Sequence, residues 1–251
     1  MWISDYIKTL YVLYTKNFKN RSGSGSANYQ KFLIIGLPRC GTTLLHTYLN
    51  SHPNILSSGE VSFSDIQQNK KNFFPPLNSE IMAAGVKILL PYDHNNVLLQ
   101  SLLKFISAEP TLKIIFIKRA NPIRIYISYK IAQQTKQWSN SVLEKKTSAE
   151  ARKVTVDIPD ILRFLSDFED NLNFYQSSLK KTPLLQVQYE ALSEAPNKVL
   201  TEVQSFLNVP HATLISLLKK QNPENFTILI KNYQELHYAL SGTQFSKYLN
   251  D

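Results

Sequence analysis

The run Phe32-Leu33-Ile34-Ile35, followed by Gly36-Leu37-Pro38-Arg39-Cys40-Gly41-Thr42-Thr43 and by a helix-like stretch from Leu44 to Leu49, leaves this chain few folding options. A short apolar, β-rich run reads as a buried strand, and a strand that passes through a glycine-bounded loop into a helix belongs to an α/β sheet. Such a loop also constrains chemistry. The helix start leaves several backbone N–H groups without partners, aimed at one point, and the helix dipole adds partial positive charge there, so the loop is an anion cradle. Its spacing matches the nucleoside-triphosphate loop G-x4-G, but the lysine expected after the second glycine is Thr42. The cation sits inside the loop as Arg39, whose guanidinium can hold two oxygens of a tetrahedral anion, whereas the missing lysine normally reaches the β- and γ-phosphates. The anion expected is therefore not ATP.

Apolar runs and helix-period stretches alternate beyond this unit. The pattern predicts strands at 31–36, 85–90, 112–118 and 184–189, and helices at 42–50, 95–107, 122–135 and about 158–180, with further helices to the end. Alternation of this kind implies crossover connections and a parallel sheet, a P-loop-like three-layer fold with helices on both faces. Asn121-Pro122 places one helix start: asparagine suits the N-cap and proline the first helical position, and Ile123, Ile127 and Ile131 then form a stripe expected to face the sheet. In open parallel sheets ligands collect at the carboxyl ends of the strands, so the Arg39 loop and the segment around Arg119, Arg124 and Ser128 are expected to serve one ligand.

At these residues the chain resembles a family. Pro38-Arg39-Cys40-Gly41-Thr42-Thr43 is similar to the phosphosulfate loop of sulfotransferases, which use 3′-phosphoadenosine 5′-phosphosulfate (PAPS) as donor. The block from Ile114 to Ser128 is similar to the family's strand, arginine, helix and serine that grip the donor's 3′-phosphate. Similarity continues through Lys130-Ile131-Ala132-Gln133-Gln134-Thr135, Tyr189-Glu190, Lys219-Lys220-Gln221-Asn222-Pro223 and Asn232-Tyr233-Gln234-Glu235-Leu236, most like bacterial carbohydrate sulfotransferases of the nodulation-factor type. The resemblance implies that Arg39, Cys40, Gly41, Thr42 and Thr43 hold the phosphosulfate, and that Arg119 and Ser128 hold the 3′-phosphate. Arg119 stands one residue farther from Ser128 than the family's arginine, a place taken by Ala120, and Arg124 is a substitute for it. Tyr189 is placed near the adenine, and Lys219, Lys220 and Gln221 in a late segment closing over the donor. Cys40 replaces the usual serine or threonine; its N–H still suits the cradle, and a thiol at a helix N-terminus is a candidate for a depressed pKa. A phosphatase reading, C-x5-R, fails because position 46 is His46.

Transfer of a sulfuryl group requires a base for the acceptor hydroxyl. The resemblance points to Glu60, with His94 and His46 as rivals, and a lysine paired with Glu60 is the plain alternative for that carboxylate. Lys87 interrupts the apolar run Gly85-Val86-Lys87-Ile88-Leu89-Leu90, where an ammonium near the strand's carboxyl end can neutralise the leaving bridging oxygen. The catalytic set is thus Glu60, Lys87 and Arg39. No metal is expected, since no zinc-type spacing or paired-aspartate cluster is present. The product would be adenosine 3′,5′-bisphosphate and the acceptor a small molecule or glycan, a carbohydrate, glycolipid or similar polar product. Acceptor specificity is expected from Val61 to Met82, with Phe63, Phe73, Phe74, Pro75, Pro76, Lys70 and Lys71, and from Ser139 to Val156; an aromatic anchor in a surface loop is the plain reading of the first segment. The rivals are a nucleotide kinase or NTPase, and a nucleotide- or RNA-binding module without catalysis.

Composition sets the remaining bounds. Lys and Arg number 28 against 19 Asp and Glu, a net charge of +9, which suits an anionic ligand. The basic residues are scattered and no RNA-binding signature accompanies them, so no nucleic-acid partner is expected. A single cysteine allows no intrachain disulfide and fits the reducing cytoplasm. Residues 1–26 read as a basic segment ending in the flexible linker Arg21-Ser22-Gly23-Ser24-Gly25-Ser26, and 27–251 as a single domain. Tyr6, Leu10, Leu13, Tyr14 and Phe18 lie at helical spacing beside Lys8, Lys16 and Lys19. They suit a helix resting peripherally on an anionic membrane or one packed on the domain.

Overall fold

The computed structural model describes residues 25, 28–62, 65, 73–93, 97–139, 147–218, 221–222 and 224–249. The N-terminal amphipathic segment, and all of the linker but Gly25, lie outside them. Among the described residues, five parallel strands form one sheet in the order β2-β3-β1-β4-β5, comprising β1 (Gln30–Gly36), β2 (Ile55–Glu60), β3 (Ala83–Leu89), β4 (Lys113–Lys118) and β5 (Leu184–Gln188). The three inner strands are apolar along most of their length, Lys87 excepted within β3's run, because both of their faces are covered.

Successive side chains of these strands feed opposite layers. Leu33, Ile35, Val86, Ile88, Ile114 and Phe116 pack with Leu99, Leu102 and Ile106 of α2 (Val97–Ser107) and with Phe168 and Tyr175 of α4 (Ile158–Ser178). Phe32, Ile34, Ile115, Ile117 and Val187 pack with Leu45 and Leu49 of α1 (Thr42–Asn50) and with Val199, Leu200 and Val203 of α6 (Pro196–Phe206). Three layers result, with the sheet in the middle. Among the described residues, no helix is long and apolar enough to cross a membrane.

Helix α3 (Pro122–Thr135) begins as its sequence predicts: the Asn121 side chain accepts a hydrogen bond from the Arg124 N–H at 3.2 Å, and Pro122 takes the first turn. Its isoleucine stripe faces elsewhere than expected. Ile123, Ile127 and Ile131 join a third cluster with Ile161 and Leu165 of α4, Phe226 of α7 (Phe226–Leu229) and Leu236 and Leu240 of α8 (Tyr233–Leu240). Ile125 turns to the sheet-side cluster instead. The helix is buried on several sides because the C-terminal elements cover its outer face, so periodicity alone does not say which stripe meets the sheet.

Strand β2 is the element absent from the sequence reading. Its residues, Ile-Leu-Ser-Ser-Gly-Glu, are poor strand formers and the ladder to β3 is irregular between Ser57 and Glu60, where Gly59 takes φ 89°. Pairing with β3 makes it a strand at the sheet's edge. A short helix α5 (Tyr189–Glu194) follows β5 directly.

Candidate active site

Since all five strands are parallel, their carboxyl ends share one edge of the sheet, and each brings a candidate residue there. Arg39 follows β1, Glu60 ends β2, Lys87 lies near the end of β3, Arg119 follows β4 and Tyr189 follows β5.

The loop after β1 is pressed tightly into place. A side-chain carbon at Gly36 would stand 2.6 Å from the Ile117 carbonyl oxygen, and one at Gly41 would stand 2.5 Å from the Tyr189 ring. Arg39 and Gly41 both take left-handed backbone, at φ 68° and 94°. Gly41 caps α1, whose first helical bond runs from the Leu45 N–H to the Gly41 carbonyl at 3.1 Å. The N–H groups of Thr42, Thr43 and Leu44 precede that bond, the position in which a helix start leaves them available to an anion. They line a cleft of about 300 Å³ together with Arg39, Arg119, Arg124, Ser128, Tyr189 and Gln221.

Arg39 spreads over three partners. Its Nε donates to the Ser128 hydroxyl at 3.0 Å, one terminal nitrogen to the Trp138 carbonyl at 2.6 Å, and the other to the Gln221 side-chain oxygen. Gln221 in turn donates to the Gln137 carbonyl at 2.7 Å. Arg119 stacks on the Tyr189 ring at 4.6 Å and donates to the Arg39 carbonyl at 3.3 Å. Arg124 donates to the Glu224 carbonyl at 2.7 Å and lies 4.6 Å over Phe226. Burial lowers the pKa of Arg39 and of Arg124, and the like charge of Arg119 acts in the same direction on both. An anion in the cleft would relieve that mutual repulsion.

Lys87 and Glu60 approach the cradle from the other side of Thr43. They occupy one register position of β3 and β2, the Lys87 ammonium lies 2.9 Å from the Glu60 carboxylate, and it donates to the Thr43 hydroxyl at 3.0 Å. Lys87 is 6% exposed, while the Glu60 side chain is 51% exposed. A buried ammonium therefore connects the start of α1 to a carboxylate that faces water. Glu60 is thus paired with a lysine, as its plain reading had it, and its side chain still faces water.

Other sequence candidates fall differently. Cys40 is buried in the sheet-side cluster outside the cleft lining, and its N–H donates to the Leu37 carbonyl at 3.3 Å. Burial pushes its thiol up to about 12, the reverse of the depressed value a helix start would favour. His46 sits with its Nδ1 2.6 Å from the Ser57 hydroxyl on β2, outside the cleft lining. Phe74 is buried and, like Phe73, packs on Phe105 of α2, so these two rings anchor their loop. His94, Lys219, Lys220, Phe63, Lys70 and Lys71 lie outside the described residues.

Tyr48, Trp138, Ser193, Leu218 and Asn222 also line the cleft and were not anticipated. Tyr48 was within reach of helical spacing, four residues after Leu44. Asn222 adjoins Gln221, is 7% exposed, and has no partner for either end of its amide among the described residues. Ser193 and Leu218 give no linear signal. Among the described residues, no group of three His, Cys, Asp or Glu side chains is disposed to hold a metal.

Comparison with known proteins places the chain among its relatives. The chain is 25% identical over 243 residues to Nodulation protein H of Rhizobium meliloti (strain 1021), an alignment covering 87% of this chain and 94% of that one. It is 23% identical over 237 residues to Nodulation protein H of Rhizobium tropici, covering 87% and 92%. A sulfotransferase structure from Alicyclobacillus acidocaldarius superimposes with a TM-score of 0.47 at 15% identity, over 76% of this chain and 86% of that one. The family profile described as "Sulfotransferase domain" matches residues 29–247, and the chain accordingly belongs to the sulfotransferase family of enzymes.

Proposed function

We propose that this enzyme takes the sulfuryl group of PAPS and transfers it to a hydroxyl of a carbohydrate, glycolipid or similar polar natural product. The observation that carries the reading is the position of Lys87, in contact with Thr43 of the anion cradle and with Glu60. The residues suit the donor: a cradle of N–H groups with Arg39 for the phosphosulfate, and Arg119, Arg124 and Ser128 in the same cleft for a second phosphate. The name of the relatives from Rhizobium, Nodulation protein H, fits a glycan acceptor through the family resemblance alone.

In the step we infer, the acceptor oxygen attacks sulfur as its proton passes to Glu60. The bond from sulfur to the bridging oxygen breaks, and adenosine 3′,5′-bisphosphate leaves with the electron pair. Lys87 is shared between Glu60 and that bridging oxygen. As its charge is drawn to the leaving phosphate, the carboxylate loses its counter-ion and becomes a better base. Arg39 and the N–H groups of Thr42 and Thr43 stabilise charge on the phosphosulfate throughout. Residues 27–251 act as one catalytic domain in this reading, and the lone cysteine suits a cytoplasmic site.

Calorimetry with adenosine 3′,5′-bisphosphate and with ATP tests the donor assignment. Binding of the bisphosphate and not of ATP is expected. Tight ATP binding without bisphosphate binding would replace this reading with that of a kinase or NTPase, and bisphosphate binding without transfer to any acceptor in a panel of sugars, phenols and amines would leave a non-catalytic module.

A further inference from the structure

Gln221 and Asn222 line the cleft, yet the groups that hold them in place include two that do not, Arg152 and Glu224. The Glu224 carboxylate pairs with a terminal nitrogen of Arg152, a residue of the single 3-10 turn Glu150–Arg152, and the same nitrogen donates to the Gln221 carbonyl at 3.5 Å. Arg124 of α3 holds this stretch by its backbone, donating to the Asn222 carbonyl at 3.3 Å and to the Glu224 carbonyl at 2.7 Å. Arg152 is itself fixed. Gln134 of α3 donates to the carbonyls of both its neighbours, Ala151 at 2.9 Å and Lys153 at 3.2 Å. Beyond them Val154 bridges to Ile230, with the Val154 N–H donating to the Leu229 carbonyl at 2.9 Å and the Lys231 N–H to the Val154 carbonyl at 2.8 Å.

This ion pair is poorly built for stability. The two side chains are only 18% and 25% exposed, and the Arg152 Nε and the second carboxylate oxygen of Glu224 are buried with no partner among the described residues. A guanidinium can meet a carboxylate through two parallel hydrogen bonds, but here one arm is used and a polar atom on each side is left desolvated, which offsets much of the attraction. What the pair fixes is place. Gln221 has its carbonyl on Arg152, while its side chain accepts from the Arg39 guanidinium and donates to the Gln137 carbonyl at 2.7 Å. Arg39 is therefore aimed by a residue whose own position depends on Arg152.

We propose that Arg152, paired with Glu224, is a positioning residue for donor binding. Neither side chain meets the nucleotide; together they set Gln221, and Gln221 holds the Arg39 guanidinium where the phosphosulfate will lie. The inference rests on the donor reading above and deepens it. It draws into the donor site a residue of the segment Ser139 to Val156, from which acceptor specificity is expected, so that one segment braces the donor cleft as well. A buried ion pair that contributes little to folding is retained in this reading because it selects one arrangement of the residues it holds.

Arg152→Met alone strands the Glu224 carboxylate and can unfold the chain, so the informative variant combines Arg152→Met with Glu224→Leu, removing both charges while keeping their bulk. Its Tm should stay within about 4 °C of the unmodified enzyme's, or rise, while the Kd of adenosine 3′,5′-bisphosphate, read by calorimetry, increases roughly tenfold. Because one nitrogen of Arg152 makes both contacts, Arg152→Lys can keep them and should bind the bisphosphate within about threefold of the unmodified enzyme. Gln221→Ala should weaken the bisphosphate by roughly the same tenfold, and adding the double replacement to it should change the Kd by no more than about twofold, since both act through the aim of Arg39. An unchanged Kd in the double variant, losses that add in the Gln221→Ala background, or a Tm lowered by more than about 4 °C would overturn the proposal, the last by making the pair a general brace. If the unmodified enzyme fails to bind the bisphosphate, the donor reading falls and this inference with it; binding that is equal in the unmodified enzyme and the double variant overturns this inference alone.

Discussion

The Lys87 ammonium stands 2.9 Å from the Glu60 carboxylate, directly across the ladder between β3 and β2. If Glu60 takes the acceptor proton, Glu60→Gln keeps the side chain's shape while removing the base. Its kcat should fall about 10²- to 10⁴-fold with the affinity for adenosine 3′,5′-bisphosphate unchanged. A fully active Glu60→Gln enzyme would shift the role to a histidine, His94 first.

Lys87→Met tests the other half of the pair. The side chain is nearly isosteric and loses only the charge, so kcat should drop about 10²- to 10³-fold. Glu60 reaches water without its partner, and the unfolding free energy should therefore move by no more than about 1 kcal/mol. Urea denaturation alongside the transfer assay separates the two effects; a large loss of stability with normal kcat would make the contact purely structural.

Arg39→Ala should weaken bisphosphate binding by about 10- to 150-fold, the equivalent of about 1.5–3 kcal/mol for a charge-assisted contact. Arg39→Lys should not restore it. A single ammonium cannot reach Ser128, Trp138 and Gln221 together as the guanidinium fork does. Calorimetry reads both variants, and unchanged affinity with only slower turnover would contradict a donor-binding role.

Gly41→Ala places a methyl group 2.5 Å from the Tyr189 ring at φ 94°. Strain of this kind should cost about 1–3 kcal/mol of stability and displace the cradle, weakening the bisphosphate as well. Chemical denaturation and calorimetry check the two consequences. A variant of wild-type stability would mean that the loop yields more easily than its packing indicates.

The buried thiol supplies a pH dependence. Cys40 is pushed from 9.0 up to about 12 by burial, so the folded protein keeps the proton while the unfolded chain loses it. The stability this confers is complete below the unfolded value of 9.0 and is lost as pH rises towards 12. Burial also pushes up the phenols of Tyr29, Tyr92, Tyr126 and Tyr175, so the decline above pH 9 should be shallower, though not absent, in Cys40→Ala. At pH 8 the native thiol should react with a disulfide reagent far more slowly than the urea-unfolded chain. Equal rates would mean that the thiol is accessible.

By itself, the sequence determined what depends on neighbours along the chain. The apolar run of β1, the loop that turns it into α1, the Asn121 cap and the alternation of strands and helices follow from local backbone preference and from which residue types bury both faces of a strand. Tertiary structure decided the partners. Arg39 finds Ser128, Trp138 and Gln221 at separations of 89, 99 and 182 residues. Glu60 meets Lys87 only because β2, a weak strand on its own residues, pairs in one register with β3. Burial, too, belongs to the folded state: packing turned Cys40 into the core and brought Phe73 and Phe74 onto Phe105, while leaving Trp138 in the cleft. Chain-local preferences set elements and caps, but charge pairing and solvent exposure arise only when distant segments exclude water from the same space.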